Sequence, residues 1–353
     1  MLKTITNLVK LVRHPAPQVG RTPHVVVHSE NKWRLLRFSA PSGRTPTHRL
    51  PLVLVPSMIN RWYVLDLLPG KSLVEWLAEK GWDVYVIDWG TPGPEDRHLS
   101  FDDVVGRYLG RALRRASETS HAPAAHVLGY CMGGTLAAIH ASAFPERVAS
   151  LTTLAAPVAF ADDGILATWT RSPAFDPDSL VDAFGNVPWP LLQASFLMLR
   201  PTLTPSKLAF LADKLITGRN FDGNFLDSFL AKEKWANDNV DLPGEVFRTW
   251  VRALYREDQL VNGRFTLLGK PARLEGITMP LHVLSFEHDY IVPKESAVPL
   301  AERAGSRDIT HTHLPGGHVA AVVSESAKDR LWPKLETWWA SRDRTLRAVS
   351  AAE

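Results

Sequence analysis

The chain has 353 residues, 45% hydrophobic and 22% charged, enough apolar content to bury a large core and too much for a disordered chain. Its net charge of +3 is too small to imply a nucleic-acid partner. The single cysteine excludes an internal disulfide and fits a reducing, cytoplasmic compartment, where a free thiol survives.

Leu2, Ile5, Leu8, Val9 and Val12 recur at helical spacing beside Lys3, Lys10 and Arg13, which predicts an amphipathic segment over 1–20 packed on the body of the protein. No apolar run is long enough for a membrane span or a signal-peptide core. His24 to His28 and Trp33 to Phe38 read as an antiparallel pair. Pro51 to Val55 is a short apolar run suited to a buried central strand, and Leu73, Trp76 and Leu77 mark one face of a helix. Val84 to Ile87 gives the next strand, Phe101, Val104, Val105, Tyr108 and Leu109 a helical stripe, and His126 to Gly129 another strand. A helix to about Ala143 and a strand from Val148 to Leu154 follow. From Pro157 to Met279 the alternation stops, and the sequence turns to Pro, Asn, Asp and aromatics, including Trp169, Trp189, Trp235 and Trp250. Strands resume at Pro280 to Phe286 and Asp308 to Leu314. The pattern predicts an α/β protein, a mostly parallel sheet with helices on both faces, built from 1–156 and 280–353. Residues 157–279 are expected to form a mainly helical cap, closed over the site in the free protein.

Leu128-Gly129-Tyr130-Cys131-Met132-Gly133-Gly134 stands where a strand ends and a helix begins. A lone cysteine is ordinarily a small buried hydrophobe. Here the glycines two before and two after it match the nucleophile elbow of the α/β-hydrolase fold, G-x-S-x-G, with sulfur in place of oxygen. In that fold the acid and then the histidine follow the nucleophile along the chain. Phe286-Glu287-His288-Asp289-Tyr290-Ile291-Val292-Pro293 begins just after an apolar strand, and Asp289 in the D-x-I-V-P pattern is the candidate acid, with Glu287 its rival. Leu314-Pro315-Gly316-Gly317-His318 follows the last strand, and its glycines free the loop to aim His318 inward. His126, His140, His288, His311 and His313 have no comparable placement. The backbone N–H groups of Met132 and Met58 are the candidate oxyanion donors. There is no H-E-x-x-H, Walker loop or dinucleotide fingerprint, so neither metal nor cofactor is expected.

These residues resemble a family, the catalytic subunits of polyhydroxyalkanoate synthases in their short, two-subunit form, over nearly the whole chain. Val55-Pro56-Ser57-Met58-Ile59-Asn60-Arg61, then Tyr63 to Leu67, is similar to that family's oxyanion-loop segment. Trp82 to Gly90 is similar to its next strand and loop, and Gly129 to Gly134 to its cysteine lipase box. Phe184-Gly185-Asn186-Val187-Pro188 and Glu233-Lys234-Trp235 resemble parts of its cap. Short members often carry Gln after the cysteine, where this chain has Met132. The resemblance implies polymerisation of (R)-3-hydroxyacyl-coenzyme A into polyester, with Cys131 as acyl carrier, His318 as base and Asp289 as its partner. It also implies a homodimer, a separate activating subunit and a place at the surface of polyester granules. A thioesterase or depolymerase of the same fold, and a non-catalytic granule-associated protein, are the alternatives.

Overall fold

The computed structural model describes residues 2–350. Its strands are β1 (His24–Glu30), β2 (Trp33–Phe38), β3 (Leu52–Val55), β4 (Val84–Asp88), β5 (Ala125–Tyr130), β6 (Val148–Leu154), a short hairpin of β7 (Thr266–Leu267) and β8 (Lys270–Pro271), β9 (Leu281–Phe286) and β10 (Ile309–Leu314). The helices are α1 (Leu2–Arg13), α2 (Leu73–Glu79), α3 (Gly110–Thr119), α4 (Met132–Ala143), α5 (Ile165–Arg171), α6 (Pro177–Phe184) and α7 (Trp189–Leu199). They continue with α8 (Leu203–Thr217), α9 (Gly223–Asn237), α10 (Gly244–Thr249), α11 (Lys294–Ala297), α12 (Pro299–Arg303), α13 (Ala320–Val323) and α14 (Trp332–Ser350).

Among the described residues the main sheet runs β1-β2-β4-β3-β5-β6-β9-β10. β1 and β2 pair antiparallel and β2 meets β4 antiparallel, while the remaining pairs are parallel. The central strands are apolar throughout because both of their faces are covered. Val53 and Val55 of β3 join a cluster with Ile87, Val127, Leu136 and Ile139, the last two from α4. Leu52 and Leu54 point the other way, into a cluster with Leu77 of α2 and with Leu335 and Trp339 of α14. With a mostly parallel sheet covered on both faces and a sharp turn between β5 and α4, this is the α/β-hydrolase fold.

Between β6 and β9 run α5 to α10 and the β7–β8 hairpin, the latter not foreseen in the sequence. α1 packs against α8, but not as its periodicity predicts. Asn7 is the buried residue, its Nδ2 donating to the Leu215 carbonyl at 3.0 Å, while Ile5, Leu8, Val9 and Val12 are exposed. Among the described residues no helix is long and apolar enough to cross a membrane.

Candidate active site

Cys131 stands between β5 and α4 with φ 56° and ψ −133°, a left-handed conformation rare for a residue with a side chain. The turn is held by the Cys131 N–H, which donates to the Leu154 carbonyl at 3.0 Å, and by the Gly134 N–H, which donates to the Cys131 carbonyl at 2.8 Å. Glycine at 133 is required by space: a Cβ there would lie 2.0 Å from the Val55 carbonyl oxygen. One at 129 would lie 2.3 Å from the Gly134 Cα. The two glycines thus let strand and helix close up around a side chain pushed out over the sheet's carboxyl edge.

The loops after β9 and β10 bring Asp289 and His318 to the same place. Asp289 Oδ1 accepts from the N–H groups of Ile291 at 3.0 Å and Val292 at 2.9 Å, leaving Oδ2 for His318 Nδ1 at 2.8 Å. Both side chains are buried, whereas Glu287 is exposed. Burial alone would lower the His318 pKa. The adjoining Cys131, through its charge and hydrogen bond, and Asp289 outweigh it and push the imidazole up to about 10. Cys131, His318 and Asp289 therefore come together, as the sequence order predicts. His126 and His140 are buried elsewhere, on Ser150 Oγ and the Val105 carbonyl.

Met132 opens α4, and Met58 lies on the loop after β3, whose Pro56 carbonyl accepts from Trp89 Nε1 at 2.9 Å. Among the described residues neither Met58 N–H nor Met132 N–H has an intramolecular acceptor, so both are free for an oxyanion. That loop is tied down by the end of α9 and the residues after it. Trp235 Nε1 donates to the Arg61 carbonyl at 3.0 Å and the Val240 N–H to the Ile59 carbonyl at 3.1 Å. Asp238 accepts from Arg61 Nε at 3.0 Å and Tyr63 Oη at 2.7 Å.

A cavity of about 90 Å³ opens beside Cys131, walled by Met132, Leu166, Phe196, Trp250 and Tyr255 among others. Its volume is far below the roughly 300–1,000 Å³ of sites that enclose a drug-sized ligand. A larger one, about 490 Å³, lies between Arg97, Asn186 and Arg248, but none of Cys131, Asp289 and His318 is on its wall. Arg248 there is already paired with Asp178, Asp182 and Glu245. Sequence reasoning missed Tyr255, a cavity wall from deep in the insertion, and Tyr130, whose Oη donates to the His318 carbonyl at 3.2 Å. Tyr130 adjoins Cys131 in the chain, and that adjacency was its signal.

Residues 51–321 match the family model of the alpha/beta hydrolase fold, and residues 15–77 that of the poly-beta-hydroxybutyrate polymerase (PhaC) N-terminus. The chain is 35% identical to the poly(3-hydroxyalkanoate) polymerase subunit PhaC of Haloferax mediterranei over 93% of its own length and 65% of the relative's. It is 33% identical to the subunit of the same name from Allochromatium vinosum, over 94% of this chain and 92% of that one. For the one from Synechocystis sp. the figures are 34%, 92% and 86%. The chain thus spans a little under two thirds of the Haloferax protein and most of the other two. Among solved structures, a monoacylglycerol lipase of Paleococcus ferrophilus is similar in fold, with a TM-score of 0.53 at 16% identity over 88% of this chain and 100% of that one. Rv0554 of Mycobacterium tuberculosis gives 0.51 at 16% identity over 86% and 96%. With polymerase subunits at about a third identity over most of both chains, the chain belongs to the poly(3-hydroxyalkanoate) polymerase family.

Proposed function

We propose that the chain polymerises (R)-3-hydroxyacyl-coenzyme A into polyester through a thioester on Cys131. The observation that carries the mechanism is the buried Asp289–His318 pair set against a cysteine rather than a serine. Transfer from the coenzyme A thioester to a protein thiol is nearly isoenergetic, whereas serine would give a lower-energy oxygen ester. The acyl group on Cys131 stays reactive enough to acylate an alcohol.

The Cys131 thiolate attacks the thioester carbonyl, and the oxyanion is held by the N–H groups of Met132 and Met58. The carbon–sulfur bond to coenzyme A breaks, and His318 gives its proton to the departing thiolate. His318 then takes the proton of a 3-hydroxyl, the alkoxide attacks the acyl-cysteine, an ester bond forms, and the Cys131 thiolate is regenerated. Asp289 fixes the tautomer and orientation of His318 throughout. Water competes with the hydroxyl, and the small apolar cavity under the insertion, residues 157–279, supports its role as a water-excluding cap. Admitting coenzyme A requires that cap to move.

The test is coenzyme A release from 3-hydroxybutyryl-coenzyme A, with products separated into insoluble polyester and free acid. Wild type should give polymer and Cys131→Ala none. Free acid alone would make the protein a thioesterase or depolymerase.

Family resemblance supports a homodimer activated by a separate subunit, so the chain purified alone should be slow or show a lag, and immediate full activity would overturn the subunit's role. We place the protein in the cytoplasm at the surface of polyester granules. The exposed Ile5, Leu8 and Val12 of α1 and Leu208 and Ile216 of α8 support that placement.

A further inference from the structure

Cys131 lies where two apolar clusters meet. The cavity is on one side. On the other, Tyr130, Trp235, Val322 and Val323 pack together, and along the same segments three lysines gather around one carboxylate. Lys71 Nζ donates to Glu325 at 2.7 Å and to Ser228 Oγ at 2.7 Å. Lys328 Nζ donates to the Gly70 carbonyl at 2.6 Å. Lys232 stands one helical turn beyond Ser228 on the same face of α9. It has neither a hydrogen bond nor an ion pair among the described residues.

The charges are unbalanced. All three ammonium groups act on Glu325, the hydrogen bond from Lys71 most strongly, and hold its carboxyl below the usual range. Three cations face Glu325, and Glu75 stands nearby on the Gly70 N–H, so positive charge is still in excess. Lys232 reaches solvent, yet the protein around it, and then the Lys71 charge, hold its pKa below the usual lysine range. Such a cation, crowded, accessible and unpaired, is stabilised by an incoming anion.

The lysines come from three segments that also build the reaction centre. Lys71 follows the loop carrying Met58, Glu325 and Lys328 follow His318, and Lys232 precedes Trp235 on α9. The seven residues from His318 to Glu325 span at most about 25 Å even when extended. Folded through α13 they span less, which keeps Glu325 within reach of the arm that separates a coenzyme A thioester from its phosphates.

We propose that Lys71, Lys232 and Lys328 bind the phosphate groups of the coenzyme A thioester, whose acyl end enters the cavity on the opposite side of Cys131. The proposal rests on the substrate class argued above. A phosphate would accept from Lys232, and would share Lys71 with Glu325 and Lys328 with the Gly70 carbonyl.

The test is calorimetric binding of coenzyme A, and of pantetheine, which lacks the phosphates, to wild type, Lys232→Ala, Lys232→Arg and the variant with all three lysines changed to alanine. Lys232→Ala should weaken coenzyme A binding about tenfold, the loss expected for one charge-assisted contact, and the triple variant further. Lys232→Arg should retain affinity, and pantetheine should bind all of them alike. Equal coenzyme A affinity in wild type and variants, an equal loss for pantetheine, or no binding of coenzyme A to wild type would each overturn the proposal. Should the triple variant not fold, Lys232→Ala, at an exposed position, carries the test alone. The polymer assay is separate: wild type that binds coenzyme A through these lysines but makes no polymer would fail the functional reading and leave this site standing.

Discussion

At the residue scale the coupling of His318 to Cys131 dominates. Among the influences that raise the imidazole, the charge of Cys131 is the largest, and it works against burial. Cys131→Ser removes that charge and leaves burial in place, so the His318 ring should titrate well below the wild-type value of about 10. Ring NMR, with the signal assigned through His318→Gln, reads this directly; an unmoved titration would refute the coupling. The raised pKa is also a stability statement. A histidine held above its unfolded value near 6.5 contributes stability that is fully present below that pH and lost as pH rises through about 10. Wild type should therefore lose more stability than His318→Gln between pH 8 and 10.5 in denaturant titrations. Asp289→Asn keeps the shape but lets the imidazole take the wrong tautomer. A loss of about 10⁴ in kcat with little change in fold is expected, by analogy with the serine triad.

At the element scale the elbow tolerates no side chain at its second glycine. With the Val55 carbonyl 2.0 Å from a Cβ at 133, Gly133→Ala should cost about 3 kcal/mol or more, seen as a large fall in Tm; a variant of wild-type stability would show that β3 and α4 can separate. Elements of this kind were legible in the sequence. β3, β5 and β9 are buried along their whole length, so their apolar runs have no other explanation, and chain order pointed to Cys131, Asp289 and His318. The helices of the insertion were not legible one by one. α7 and α8 bury no residue fully, while Leu197, Met198, Leu208 and Ile216 are exposed, so periodicity marks no core face. α1 misled for the same reason, because the residue it buries is Asn7. The contact of Tyr63 with Asp238 joins positions 175 residues apart, and no local pattern announces such a pair.

At the scale of the whole molecule, the insertion both walls the cavity and holds the loop that carries Met58. Asp238 is the joint: it takes hydrogen bonds from Arg61 and Tyr63 at once. Burial, and then Asp238, raise the Tyr63 pKa well above the ordinary phenol range. Asp238→Ala should thus lower kcat about tenfold while moving KM little, since the proposed oxyanion donor at Met58 would act in the transition state. A change in KM alone would show that the joint serves binding instead. The tie makes the insertion an interlock. On the proposed function, swinging it aside to exchange coenzyme A would also loosen the Met58 loop, so the open enzyme would hold the exposed carbonyl less well. On the proposed mechanism the acyl-cysteine is then safest from water when water has freest access, and Asp238→Ala, which loosens the same loop, should slow hydrolysis together with polymerisation.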